Sequence, residues 1–302
     1  ELACSLTEAK ENKLAKKTDG AKTKNVRGIA NFIDANLAGG QKSKDCILIL
    51  CEGLSAMSGI VSGLSSEDRN TIGIYPLRGK LLNVRGEAIK KIAENKEITD
   101  LKKILGLETG KVYNSLPDVH KNLRYGKIMF LCDQDMDGSH IKGLLFNVFQ
   151  SLWPSLYKIN GFLTSMLTPI IKASNSKGEV ISFYNMSDYE RWSQSDAAKK
   201  STWKIKYYKG LGTSKDDEAK EYFKNMKKIK YIHTDNSDEN IDLAFNKKRA
   251  DDRKTWLMNY QKDNVLDYSK PEVEYEEFIN KDLIHFSNRD FARSINHICD
   301  GL

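Results

Sequence analysis

Ile128-Met129-Phe130-Leu131-Cys132-Asp133-Gln134-Asp135-Met136-Asp137-Gly138 places a short apolar run directly before three carboxylates at alternate positions. A continuous apolar run of this length reads as a strand buried on both faces of a parallel sheet. The carboxylates that follow repel one another, and a divalent cation, most simply Mg²⁺, is the natural offset. The same spacing, D-x-D-x-D-G, also opens a calcium-binding EF-hand loop. That loop needs a bidentate Glu at its twelfth position, where this chain has Leu144, and it follows a helix rather than a strand. The EF-hand reading fails on both counts. Two readings of the motif alone stay open: Asp133 as a phosphatase-type nucleophile, and a structural acid cluster neutralised by nearby lysines.

Working outward, Cys46-Ile47-Leu48-Ile49-Leu50-Cys51 is a second apolar run, and it too ends on an acid, Glu52, followed by Gly53. Acids at the ends of two neighbouring parallel strands would gather Glu52, Asp133, Asp135 and Asp137 at one edge of the sheet. Helical patterns follow from Ser55 to Leu64, from Glu87 to Leu105 and from Ile141 to Leu156, so strands alternate with helices as in an α/β layer. Residues 162–208 are richer in strand, with runs at 169–173, 180–184 and 203–208, interrupted by a capped helix start at Ser187. Charged helical stretches are expected over 214–230 and 247–260, and Pro271 marks a break. Trp203, Tyr207 and Tyr208, in a strand-like setting, read as core rather than as a platform for stacking bases.

The 302 residues allow about two domains, and 40% hydrophobic with 29% charged residues describe a globular chain. No apolar run is long enough to span a bilayer, and no membrane partner is expected. The five cysteines form no C-x-x-C pair and read as reduced thiols, which points to an intracellular compartment. A formal charge of +7 favours a polyanionic partner, and much of the excess lies in residues 1–44, at Lys10, Lys13, Lys16, Lys17, Lys22, Lys24 and Arg27. That stretch reads equally as a solvated tether or as a phosphate-tracking segment.

Glu52-Gly53-x-Ser55-Ala56, Asp133 to Gly138 and the linking Pro76-Leu77-Arg78-Gly79-Lys80 resemble the TOPRIM module of type IIA DNA topoisomerases. The resemblance to the eukaryotic-type enzymes continues through Arg124 to Met129, Asp137 to Leu145, Lys206 to Ser214, Asp251 to Leu257, Glu277 to Lys281 and Asp300-Gly301-Leu302, nearly the whole chain. It implies an α/β fold: a Rossmann-like parallel TOPRIM sheet flanked by helices, an α+β extension, and the start of a winged-helix region. The implied boundaries are a basic lead-in over 1–44, a TOPRIM core over 45–160, a strand-rich extension over 161–235, a helical connector over 236–274 and the truncated winged-helix start over 275–302.

The implied chemistry is two-metal: Glu52, Asp133, Asp135 and Asp137 hold Mg²⁺, with Mn²⁺ or Ca²⁺ substituting in binding, against a scissile phosphodiester of double-stranded DNA. Glu52 would also exchange a proton with the 3′ oxygen. Arg78 and Lys80 are the implied cationic partners of the phosphate, with a competing role in simple pairing to the acids. His140, Lys142 and Lys209 are further DNA-contact candidates. His140 reads equally as a packing residue, and the Gly210-x-Gly212 beside Lys209 as a structural turn.

By the same resemblance the intact enzyme is a homodimer in the nucleus or another DNA-containing compartment, or the host cytoplasm if viral. Its ATPase domain would precede residue 1 and its nucleophilic tyrosine would follow Leu302. None of the 13 tyrosines here sits in the matching context. Two positions depart from the pattern: Leu54 stands where the family carries Asp in E-G-D-S-A, and Asn296 where it carries Pro in Ser-Ile-Pro, removing a fixed φ. A TOPRIM primase or nuclease, or a non-catalytic binding module, are the alternatives. The former would lack the segments 76–80, 206–214 and 251–257.

Overall fold

A computed structural model of the chain describes residues 2–208 and 216–299. Its strands are β1 (Ile47–Glu52), β2 (Ile72–Leu77), β3 (Lys127–Leu131), β4 (Leu163–Leu167), β5 (Ile171–Asn175), β6 (Val180–Phe183), β7 (Trp203–Tyr207), β8 (Lys227–Ile232) and β9 (Glu272–Glu274). The principal sheet has the order β2-β1-β3-β4-β8-β9. β1 pairs in parallel with both β2 and β3, β3 with β4, and β8 with β9; β4 and β8 are antiparallel. β5 lies between β6 and β7 in a separate antiparallel sheet.

The apolar runs form central strands because both faces of the sheet are covered. Leu48, Leu50, Ile128 and Phe130 point into a core shared with Leu101, Leu145 and Phe149. Ile49, Cys51, Met129 and Leu131 point the other way, onto Ala56, Ile60, Tyr222 and Phe223. Alternate residues of one strand thus serve opposite layers, as the pleat requires. The lead-in is tied down by Arg124, which is fully buried and donates to the carbonyls of Thr23, Lys24 and Ile104 and to the Asp34 carboxylate. Cys46, Cys51 and Cys132 are buried free thiols.

Three expectations change. The helix expected over 87–105 is two, Ile89–Glu94 and Lys96–Leu105, because the Asn95 side chain accepts from the Ile98 N–H and caps a new start. The charged helix expected over 214–230 covers only Asp216–Lys224 among the described residues, and the chain then enters β8. There Ile229 and Tyr231 alternate with exposed Lys228 and Lys230, a period of two that the lysines disguise. Of the aromatic run, Trp203 packs with Phe183 and Trp192, whereas Tyr207, on the same face at the end of the strand, is 62% exposed and meets the edge of that cluster at Tyr189. Strands β2 and β9 and the helices Leu116–Asn122, Ser237–Phe245 and Ile284–Cys299 are elements the sequence reading does not mark individually, and the helix expected over 141–156 begins at Met136 and ends at Leu152.

Candidate metal and DNA site

The strand order 2-1-3 reverses direction at β1, and the crevice outside the carboxyl ends at such a switch point is where open α/β sheets bind ligands. Here the three adjacent strand ends carry Arg78, Glu52 and Asp133. Glu52 is the last residue of β1 and Gly53 the first of helix Gly53–Gly63. Gly53 makes that turn with φ +79°, a conformation that other residues adopt only with strain. Asp133 lies two residues beyond β3, and its backbone N–H donates to Glu52 Oε2 at 3.4 Å, which ties the two strand ends together.

The next acids belong to helix Met136–Leu152. Asp135 is its N-cap, accepting from the Gly138 N–H at 2.8 Å. Gly138 is required by close approach: a Cβ there would sit 2.0 Å from the Asp133 carbonyl oxygen. The glycine of D-x-D-x-D-G therefore lets the first helical turn fold back against the strand end. Asp137, half exposed, meets Lys80 Nζ at 3.0 Å through Oδ1 and Arg289 Nη2 at 3.0 Å through Oδ2. The bond from Lys80, reinforced by Arg289, holds its carboxyl below the usual range. Glu52 moves the other way. Burial, with the negative charges of Asp133, Asp135 and Asp137 behind it, raises its carboxyl to about 6.

Arg78 projects into solvent past β2, its backbone N–H donating to Glu97 at 2.6 Å. With Glu52 and Leu54 it lines a cleft of about 470 Å³. Lys80 lies over the Phe286 ring, 4.7 Å from its centroid, while reaching Asp137. A second cleft, of about 440 Å³, borders Asp135 on the other side, with Lys281, His285 and Arg289 in its walls.

Donor chemistry and arrangement give different answers about an ion. Carboxylate oxygens alone are what a hard divalent cation takes, and the charge crowded around Glu52 is what such an ion relieves. Yet among the described residues no three His, Cys, Asp or Glu side chains converge closely enough to hold one as they stand. The reason is visible in the contacts, since Asp135 is occupied as a cap and Asp137 by two cations. The donor set suits a hard divalent ion in its chemistry, and coordination by Asp135 or Asp137 would require those side chains to turn.

Residues 47–164 match the family described as "Toprim domain", and residues 166–291 that described as "C-terminal associated domain of TOPRIM". The chain is 49% identical over 298 residues to "DNA topoisomerase 2" of Arabidopsis thaliana, covering 97% of this chain and 20% of that protein. It is 46% identical over 301 residues to the Saccharomyces cerevisiae protein of the same name, covering 98% and 21%. This is a Toprim chain homologous to eukaryotic DNA topoisomerase 2. It spans about a fifth of the length of those relatives. Among solved structures it resembles the "Plasmodium falciparum topoisomerase II DNA-binding, cleavage and re-ligation domain", with a TM-score of 0.81 and 42% identity over 89% of this chain and 36% of that one.

Two DNA-contact candidates of this Toprim unit are packed into the fold, Lys142 against expectation and His140 in line with its alternative reading. Lys142 is 2% exposed, paired with Asp282 at 3.6 Å and set over the Phe278 ring, so its charge is used inside the core and is not available to phosphate. His140 stacks on Phe286 with ring centroids 4.0 Å apart. Burial, with Lys80 nearby, lowers its pKa to about 4, so it is a neutral packed ring at pH 7 rather than a cation. Lys209 and the rest of its loop to Lys215 lie outside the described residues. What the sequence reading missed is the contribution of the C-terminal helix Ile284–Cys299 and the π-helical turn Ile279–Leu283 before it. They supply Arg289, Phe286 and Asp282, and no local signal marks residues more than a hundred positions away as neighbours of the acids.

Proposed function

We propose that this chain forms the acid half of a DNA cleavage and religation site in a type IIA topoisomerase. Glu52, Asp133 and Asp135, joined by Asp137, would hold Mg²⁺ at a DNA phosphodiester. When bound, the ion supplies positive charge against the scissile phosphate and the leaving 3′ oxygen. The chain's own groups do the rest: Glu52 gives and takes the proton of the 3′ oxygen, and Arg78, exposed beside it, binds a backbone phosphate. The observation that carries the reading is the meeting of Arg78, Glu52 and Asp133 on three adjacent strand ends at the point where the strand order reverses. Homology to DNA topoisomerase 2 supports DNA as substrate, and with it a homodimeric, ATP-using intact enzyme. The attacking tyrosine is assigned to no residue of this chain, so the chain alone binds metal and neither cleaves nor relaxes DNA.

Calorimetric titration with Mg²⁺ or Mn²⁺ tests the metal site, comparing wild type with Glu52→Gln and Asp135→Asn. Asn caps a helix as well as Asp does, so Asp135→Asn removes the charge and keeps the cap. Both variants are expected to lose at least about tenfold in affinity. Binding equal to wild type in both would sink the proposal, as would metal-dependent relaxation of supercoiled DNA by this chain alone.

A further inference from the structure

The two oxygens of Asp137 are each taken by a different cation, Oδ1 by Lys80 and Oδ2 by Arg289, both at 3.0 Å. Both cations are referred to the same C-terminal helix. Arg289 belongs to it, 152 residues from Asp137, and Phe286 of the same helix lies beneath the Lys80 ammonium. A third attachment comes from Asp282 just before that helix, which accepts from Ser139 Oγ at 2.6 Å and pairs with Lys142. The segment carrying the acids is therefore fastened to the C-terminal helix at three successive points, and Asp137 can turn neither oxygen towards an ion without giving up a cation. Arg289 is poorly satisfied in its present place. Its Nε is buried with no hydrogen-bond partner.

We propose that Arg289 is a positioning residue of the metal site, which together with Lys80 holds Asp137 out of coordination until a divalent cation displaces it. The inference rests on the metal-site reading above and deepens it. Two monovalent side chains bring the same formal charge to Asp137 as one divalent ion, so the exchange leaves the local charge balance nearly unchanged. Binding of the ion at Asp137 is thereby linked to the hold of the C-terminal helix on the acid segment.

The test is calorimetric titration of Mn²⁺ into metal-free wild type, Arg289→Gln, Arg289→Lys and Asp135→Asn, with thermal melts of each in the absence and presence of Mn²⁺. Removing a competing charge from a partly exposed pair should tighten Mn²⁺ binding of Arg289→Gln by about three- to tenfold, while Arg289→Lys stays within about twofold of wild type. The melting temperature of Arg289→Gln should be lower without metal and should rise further on its addition. Lys80→Gln, which removes the other half of the clamp, should shift affinity in the same direction. Mn²⁺ affinity in Arg289→Gln equal to or weaker than wild type overturns the proposal. If Asp135→Asn loses binding while Arg289→Gln is unchanged, only the role of Arg289 falls. If neither Asp135→Asn nor the Glu52→Gln variant above weakens Mn²⁺ binding, the metal site itself falls, and this inference with it.

Discussion

Glu52 is the residue on which the chemistry of the site and the stability of the fold pull in opposite directions. Its carboxyl stands at about 6 against an ordinary 4.5, mainly through burial and secondarily through the neighbouring acids. The folded metal-free chain therefore binds this proton more tightly than the unfolded one. The stabilising contribution is complete below about pH 4.5 and is lost as pH rises through about 6, so at pH 7 the ionised side chain destabilises the fold. Glu52→Gln should stabilise the metal-free chain at pH 7 by up to about 2 kcal/mol, discounted for partial solvent access, and leave stability at pH 4.5 nearly unchanged. Chemical denaturation in the presence of a chelator measures this, and a destabilised Gln variant at pH 7 would contradict it. Saturating Mg²⁺ should reverse the order by stabilising wild type alone. At this scale the sequence was informative about which residues are acidic and strand-terminal. It left His140 open between DNA contact and packing and offered Lys142 as a DNA contact, and only the structure shows His140 stacked on Phe286 and Lys142 buried against Asp282.

At the scale of the element, helix Met136–Leu152 begins inside the acid motif, and that start is what holds Asp133 against Glu52. Gly138 admits no side chain, since the nearest obstacle is the backbone carbonyl of Asp133 rather than a side chain that could move aside. Gly138→Ala should destabilise the chain by about 3 kcal/mol or more and weaken metal binding together with stability, because relief requires the helix start to shift from the strand end. A urea melt and a metal titration on the same sample check this. Wild-type stability would show that the first turn yields more easily than its contacts imply. The helix was legible from its apolar spacing, but its true start was hidden. The sequence reading placed it at Ile141 because the acids preceding it look like loop, although Asp135 caps it. β8 was missed for the complementary reason, as a lysine-rich alternation with apolar residues at every second position resembles a charged helix when partners are unseen.

Across the whole molecule, the C-terminal segment closes over the acid helix through Asp282, which answers Lys142 within the core and also accepts from Ser139 and Tyr268. Asp282→Ala leaves a 2% exposed lysine without its counter-charge, and about 3–5 kcal/mol of stability should be lost in denaturant unfolding. Lys142→Met should cost much less, because Asp282 keeps its two hydroxyl donors; equal losses in both variants would show that Asp282 does not act through Lys142. The sequence by itself determined the α/β class, the two buried strands and the placing of Glu52 and Asp133 at their ends. Each of these depends only on local patterning and on the rule that parallel strands share one carboxyl edge. Only the tertiary structure decided the strand order 2-1-3, the entry of β8 and β9 into the main sheet, and the capture of Asp137 by Arg289. Those follow from long-range packing, in which residues far apart in the chain meet because their elements bury a common apolar surface, and no local pattern encodes such a pairing.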